Sequence, residues 1–252
     1  MAAVAAALIP FVAFLMRDRP SDIGLAPYGA ESGAASPASS RANPVATALV
    51  ALRDGLHSRD FWLLAGSFFI CGASTNGLIG THLIPACVDH GIPEVGGATL
   101  LAAMGVFDLI GTTVSGWLSD RWSNRGLLAW YYGLRGLSLI YLPFAFGMSF
   151  YGLPVFAVFY GLDWIATIPP TVRLTARIFG AARGPIMFGW IAAAHQMGAA
   201  TAAFAAGALR TALGTYLEAF MVAGLMCMGA ALLVLLIGHS GRAGVPLPAP
   251  AE

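Results

Sequence analysis

The chain has 252 residues, of which 58% are hydrophobic and 10% are charged, and its formal net charge is +1. Soluble domains carry about 25% charged residues, so this chain has too few charges to cover a water-facing surface. The composition excludes an ordinary soluble domain and predicts a polytopic membrane protein, and the lack of any basic run argues against a nucleic-acid partner.

The first predicted element is a short apolar helix, which a hydrophilic connection follows. Residues 2–16 are apolar and precede the charged triplet at 17–19, which is the reverse of the charge order in a signal peptide. We interpret residues 1–16 as the end of a membrane helix that leaves the bilayer toward the cytoplasm. Residues 17–60 are rich in Ser, Pro, Gly and Ala and predict a flexible linker. Its last part, LVALRDGLHSRDF, is expected to form a short amphipathic helix.

Six apolar segments follow, and each is long enough to cross a bilayer. They cover residues 61–86, 97–118, 127–147, 151–171, 185–209 and 216–238. Inside lipid each segment must be helical, because unpaired backbone groups are too costly there. The sequence therefore predicts an all-α bundle of six transmembrane helices over residues 61–238, with a tail at 239–252.

The arginines set the predicted orientation of this bundle. If the six segments alternate in direction, eleven of the thirteen arginines lie on one side, in the linker, in the tail or in the connections after the second and fourth segments. Of the other two, Arg210 falls on the opposite side and Arg135 lies inside the third segment. Because positive residues stay on the cytoplasmic side, we predict a multi-pass protein of the inner (plasma) membrane with a cytoplasmic linker and tail.

A small charge cluster occupies the turn between the second and third segments. Its sequence is GWLSDR at 116–121, followed by Arg125. It resembles the loop motif Gly-x-Leu-x-Asp-Arg-x-Gly-Arg-Arg of the major facilitator superfamily, with Ser123 and Asn124 in place of a usual glycine and arginine. Three further stretches resemble bacterial members near the monocarboxylate and oxalate–formate transporters, namely RDRPSDIGLAPYG, GLDWIATIPPTVRLTARIFG and FGWIAAAHQMGAA.

The resemblance implies the carboxyl-terminal half of a twelve-helix transporter, a six-helix half-bundle. The six segments would be helices 7–12, and residues 1–16 would be the end of helix 6. Such transporters rock two six-helix halves about a central site. An amino-terminal half (helices 1–6) is therefore an expected partner that transport requires, together with a small-molecule substrate, protons and the lipid bilayer.

The resemblance also gives the charge cluster a gating role. Asp120 would pair with Arg121 or Arg125, or cap a neighbouring helix, in one state of the cycle and release that contact in the other. Gly116 completes the motif. The alternative is that these residues are ordinary cytoplasmic anchors that obey the positive-inside rule.

Polar side chains inside the segments are the candidates for a substrate or proton site, because ionisable groups are costly at membrane depth. In the implied fold, helices 7, 8, 10 and 11 face the central cavity, and the candidates there are Asn76, Asp108, Asp163, His195 and Gln196. Arg135 is expected to neutralise Asp108 or Asp163. His195 has two interpretations, since an imidazole suits a proton carrier near neutral pH and can equally hydrogen-bond between helices.

The sequence predicts a secondary active transporter of a small solute and not an enzyme, with a proton-coupled organic anion carrier as the finer expectation. One departure limits the analogy with monocarboxylate transporters, which carry an arginine four residues after the helix 8 aspartate. This chain has Thr112 four residues after Asp108.

Two other classes of function remain open. The first is a non-transporting fragment or a membrane-embedded binding or regulatory protein. The second and more remote one is an intramembrane serine protease, for which GAST at 72–75 lacks the final glycine of the nucleophile motif. The cysteines Cys71, Cys87 and Cys227 are far apart, so we interpret them as small packing residues and predict no metal and no cofactor.

Overall fold

The computed structural model describes residues 2–17, 23–25, 43–148 and 151–238. Every regular element in these ranges is a helix, which confirms the all-α class predicted from the sequence. Much of the expected linker and the whole expected tail lie outside the described residues. Helix α1 (Ala2–Leu15) belongs to a separate unit and contains Pro10.

The second unit contains the bundle, whose elements follow one another with short connections. They are α2 (Pro44–Leu56), α3 (Arg59–Gly72), a π-helical segment (Ala73–Ile79), α4 (Gly80–Asp89), α5 (Glu94–Arg121), α6 (Asn124–Ala145), α7 (Gly152–Asp163), α8 (Ile168–Phe179), α9 (Gly184–Leu213) and α10 (Leu217–Val234). α3, the π-helical segment and α4 are continuous, and α7 and α8 are separated by a turn at 164–167. The described bundle therefore has six long helical units, which correspond to the six predicted segments.

Four of these units are long and apolar enough to cross a membrane by length and composition, namely Arg59–Asp89, Glu94–Arg121, Gly152–Phe179 and Leu217–Val234. The other two, α6 and α9, have 22 and 30 residues and are less apolar. The fourth unit also extends beyond its predicted end at residue 171, to Phe179. The reason is that Pro169 and Pro170 lie in the first turn of α8, where a missing N–H costs no helical hydrogen bond.

The short helix expected at the end of the linker is α2, and it packs on the start of α9. Trp190 Nε1 donates to the carbonyl oxygen of Ala48 at 3.0 Å. Arg183 forms an ion pair with Asp54 at 3.0 Å. Ser58 then caps the N-terminus of α3 by accepting a hydrogen bond from the Phe61 N–H.

The helices of the bundle pack in pairs through small residues. α3 packs on α9, α5 on α7, and α6 on α10. At the α5–α7 crossing, Gly111 contacts the backbone of Leu162, and Gly161 contacts the backbone of Met104. Glycines on both helices let the backbones approach closely, which is how membrane helices associate when no hydrophobic effect drives them together.

Candidate functional site

The polar centre of the bundle surrounds the turn at 164–167, where the helix that runs from α7 to α8 is interrupted. Backbone groups freed by this break are paired by side chains of α5 and α6. The Asp108 Oδ1 accepts from the Ile165 N–H at 2.9 Å, and the Ser115 hydroxyl donates to the Ala166 carbonyl at 2.5 Å. Arg135 Nη2 donates to the carbonyls of Asp163 (2.6 Å) and Trp164 (3.0 Å). Irregular backbone at membrane depth persists only where protein satisfies it in this way.

Arg135 and Asp163 form a buried ion pair at this break. Arg135 Nε donates to Asp163 Oδ2 at 2.7 Å, and Arg135 has no exposed surface in the structure. Of the two carboxylates expected to neutralise Arg135, Asp163 is the one it contacts. The second carboxylate oxygen, Asp163 Oδ1, is buried and has no hydrogen-bond partner among the described residues. The pair therefore leaves one acceptor at the break unsatisfied.

A buried cysteine connects this ion pair to α3 and to the turn at 164–167. Arg135 Nη1 donates to Cys71 Sγ at 3.0 Å, and Cys71 Sγ also lies 3.3 Å from Thr167 Oγ1. Polar contacts therefore run from Thr167 through Cys71 and Arg135 to Asp163. His195 on α9 lies beside this part of α3, since a Cβ at Gly72 would meet its backbone carbonyl. This finding extends the interpretation of Cys71 from a packing residue to a polar partner.

Asp108 contacts the break from α5 and is half-buried. Besides the Ile165 N–H, its Oδ1 accepts from Thr112 Oγ1 at 3.0 Å. Thr112 occupies the position at which the resemblance predicts an arginine, and it supplies a neutral donor instead of a charge. Asp108 therefore has hydrogen-bond donors but no cationic partner on its own helix.

The remaining predicted residues of the site lie nearer the surface of the described bundle. The half-buried His195 ring lies 4.9 Å from the ring of Phe68, and its Nδ1 is 3.2 Å from Gln196 Oε1. Gln196 is exposed, and so is Asn76 in the π-helical segment. The structure brings Asp108, Arg135 and Asp163 together at the break. His195 lies on α9 beside Phe68, and Asn76 and Gln196 occupy exposed positions.

The π-helical segment has a local cause in the sequence. The hydroxyls of Ser74 and Thr75 both donate to the carbonyl of Cys71, at 3.0 and 2.7 Å. Such side-chain bonds compete with the regular helical bonds, and single π turns often mark functional sites. Tyr160 of α7 donates to the carbonyl of Ser74 at 2.7 Å. The segment is therefore tied directly to the helix that ends at the break.

The charge cluster lies at the α5–α6 turn. We expected Asp120 to pair with Arg121 or Arg125 or to cap a neighbouring helix, and in the structure it forms an ion pair with Arg173 of α8. Because α8 continues alongside α5, it brings Arg173 next to the end of that helix. The Arg121 guanidinium instead lies over the Trp117 ring, 4.3 Å from its centroid. Arg125 donates to the carbonyl of Ile237, beyond the end of α10, at 2.9 Å. Gly116 is half-buried, with open space where a Cβ would lie.

Sequence reasoning missed Cys71, Thr167 and Ser115 as members of the site. One signal could have found Cys71, because Ser67, Cys71 and Ser74 recur at helical spacing and form a polar line along one face. Thr167 and Ser115 carry no comparable signal. Their role depends on the position of the helix break, which the sequence did not predict.

These features define a bundle of membrane helices with one interrupted helix and a buried charge pair at the interruption. The fold is similar to that of a variant of the E. coli fucose:proton symporter. The two superpose with a TM-score of 0.60 at 17% identity, over 76% of this chain and 46% of the symporter. No protein-family model matches the chain.

Curated relatives agree with this fold. Monocarboxylate transporter 12-B of Danio rerio is 29% identical over 182 residues, which are 69% of this chain and 37% of that protein. An uncharacterized MFS-type transporter of Bacillus subtilis, YcxA, is 30% identical over 157 residues, or 60% of this chain and 37% of the relative. Monocarboxylate transporter 13 of Rattus norvegicus is 29% identical over 161 residues, or 63% of this chain and 37% of the relative.

The predicted resemblance to major facilitator superfamily transporters, near the monocarboxylate branch, is thereby confirmed, and the matches fit a carboxyl-terminal half. The relatives are transporters and not enzymes, as the sequence predicted. Together with the apolar helices they indicate a multi-pass membrane protein. The chain spans less than half the length of each relative that it matches.

Proposed function

We propose that the chain forms the carboxyl-terminal half of a secondary active transporter that moves a small organic anion together with protons across the inner membrane. The observation that carries this proposal is the buried Arg135–Asp163 pair at the broken helix. Broken helices surrounded by polar side chains near the bilayer midplane are where secondary transporters hold substrate and coupling ions. The names of the relatives, which include monocarboxylate transporters, support an anionic substrate.

The charges at the break suggest how a proton and an anion would be coupled. If Asp163 took up a proton, the fully buried Arg135 guanidinium would lose its counter-charge, and an uncompensated buried charge is costly. A substrate carboxylate that reached this site would restore neutrality. Binding of a proton would thus favour binding of an anion, and the half-buried His195 on α9 would serve as a second group that can exchange protons.

A second six-helix half is part of the proposal. Rocking transport needs two halves around the site, and the chain matches 37% of the length of its first curated relatives. We place the linker and tail on the cytoplasmic side from the arginine distribution. The partner half would cover exposed apolar side chains near the break, such as Ile165, Ile168 and Val172.

Transport by a twelve-helix form, in which an amino-terminal half is joined to this chain, tests the site. In proteoliposomes with a pH gradient, we expect Asp108→Asn, Asp163→Asn and His195→Ala each to lower proton-driven uptake of a monocarboxylate by about tenfold or more. A tenfold loss corresponds to about 1.4 kcal/mol, which is the free energy of a shift of one pKa unit. The measurement is the initial rate of radiolabelled uptake at several pH gradients.

Two exposed residues of the same chemical types provide matched controls. Glu94→Gln changes a carboxylate at the start of α5, and His57→Ala removes a histidine just after α2. Both should leave uptake within about twofold of the unaltered protein, since exposed side chains away from special features change little. Proton-coupled uptake that was unchanged in all three site variants would refute the assignment of the site.

The Asp120–Arg173 pair provides a separate test of the gate. Both side chains are 48% exposed, so Asp120→Arg should change the free energy of unfolding by no more than about 1 kcal/mol. If the contact forms in only one state of the cycle, the same variant should slow uptake about tenfold, a change of about 1.4 kcal/mol in the barrier. The charge exchange Asp120→Arg with Arg173→Asp should recover most of the rate. Normal uptake by the single variant would favour a plain anchoring role.

A further inference from the structure

A groove lies between α5, α6 and α7, and Asp163 of the buried ion pair is part of its lining. α5 and α6 are joined by the two-residue turn Trp122-Ser123, and both pack against other helices while touching each other little. The space between them has a volume of about 910 Å³, and residues of α7 also line it. Its lining includes Val114, Leu118, Trp122, Trp130, Phe159 and Asp163. Pockets of about 300–1,000 Å³ are typical of sites for small organic molecules.

Several groove-lining side chains lie on the outer surface of the bundle. Val114 follows Asp108 by six residues, which places the two side chains about 120° apart around α5 at 3.6 residues per turn. Val114, Trp130 and Phe159 line the groove and are also exposed on the outer surface. A molecule in the surrounding lipid could therefore enter the groove directly.

One polar group in the lining points to a ligand. Asp163 lines the groove, is 97% buried (3% exposed), and its Oδ1 has no hydrogen-bond partner among the described residues. A buried acceptor without a donor is unfavourable, and a ligand that donates one hydrogen bond would satisfy it. The other carboxylate oxygen is already held by Arg135.

The same surroundings define the chemistry of the ligand. The walls are apolar and rich in aromatic rings, which favours an apolar body. Arg135 already balances the charge of Asp163. A cationic ligand would therefore add an uncompensated charge, and an anionic ligand would be repelled by the Asp163 carboxylate. A neutral hydroxyl is the donor that fits.

We propose that this groove is a lateral binding site for a membrane-soluble alcohol or phenol, whose hydroxyl donates to Asp163 Oδ1 and whose apolar body lies along α5 and α6. The site is reached from the outer surface of the bundle, and it shares Asp163 with the proposed transport site. Its occupation does not require a complete transport cycle, so the proposal can be tested by binding alone.

The test uses the chain in phosphatidylcholine nanodiscs and a 4-octylphenol that carries a photoreactive diazirine in its alkyl chain. After illumination, mass spectrometry should find the label on groove-lining residues of α5, α6 or α7. Unlabelled 4-octylphenol should compete for labelling, whereas 4-octylanisole, its methyl ether, should need a concentration about tenfold higher or more. The ether keeps the apolar body and removes the hydrogen bond to a charged acceptor.

Two variants fill the groove, and one matched variant leaves it open. Val114→Trp should reduce labelling about tenfold, whereas Val106→Trp, at another exposed position of α5 outside the groove, should not. Gly126→Leu is the second filling variant, because a Cβ there would come no closer than 3.7 Å to Ser123. Thermal unfolding identifies the folded variants.

Labelling that persists in both filling variants, or that concentrates elsewhere, would overturn the site. Equal competition by the methyl ether would overturn the contact with Asp163.

Discussion

Replacing Arg135 with methionine is expected to lower the free energy of unfolding by about 3–5 kcal/mol, the usual cost of removing one partner of a buried ion pair. Arg135 is fully buried and holds the Asp163 carboxylate together with the carbonyls of Asp163 and Trp164. Without the guanidinium, the carboxylate becomes an unpaired buried charge, and two carbonyls at the helix break lose their donor. The cost therefore combines charge and backbone contributions.

The measurement is unfolding in mixed detergent micelles with increasing dodecyl sulfate, followed by tryptophan fluorescence. Arg121→Met is the matched control, since that arginine is exposed and lies over Trp117, and it should cost less than about 1 kcal/mol. The double variant Arg135→Met with Asp163→Leu should recover much of the loss, because an apolar pair can replace a buried ion pair. A single variant as stable as the Arg121→Met control would show that the pair does not hold the break.

Substituting Gly111 with alanine is the second change from which we expect a large effect, a loss of at least about 2 kcal/mol. A Cβ at Gly111 would overlap the carbonyl oxygen of Leu162, which is backbone and cannot rotate away as a side chain can. α5 would have to separate from α7 just before the break, which would disturb the hydrogen bond between Asp108 and the Ile165 N–H.

The matched control lies on the same helix. Gly105 has open space where its Cβ would be, so Gly105→Ala should leave stability unchanged or raise it by up to about 1 kcal/mol, because alanine favours the helix. Both variants can be compared in the same micelle titration. Equal stabilities for the Gly111→Ala and Gly105→Ala proteins would contradict the close contact between α5 and α7.

Much of the fold could be predicted from the sequence because the bilayer restricts what an apolar segment can do. Six apolar stretches separated by polar turns had to form helices, and all six correspond to helical units in the described bundle. The candidate charges were found by the same argument, since Asp108, Arg135 and Asp163 are conspicuous in apolar surroundings. The structure places these three around one turn.

The contacts between helices were harder to predict, because they depend on where each helix bends and ends. The pairing of Asp120 with Arg173 requires α8 to continue past Pro169 and Pro170, whereas the predicted segment ended at residue 171. The sequence around Cys71 indicates only a small packing residue. Its polar role follows from the structure, in which Arg135 Nη1 lies 3.0 Å from Cys71 Sγ. Sequence patterns predict which face of a single helix is buried. The pairings between side chains depend on how several helices are arranged.

The position of Arg135 also has a consequence for how the protein enters the membrane. It lies near the centre of α6, which is less apolar than the helical units able to span a membrane by composition, and an arginine there costs about 2.5–3.5 kcal/mol on insertion scales. Its counter-charge, Asp163, is on α7, the next helix in the chain. We therefore expect α6 and α7 to leave the translocon as one hairpin, with the arginine neutralised before either helix meets lipid alone.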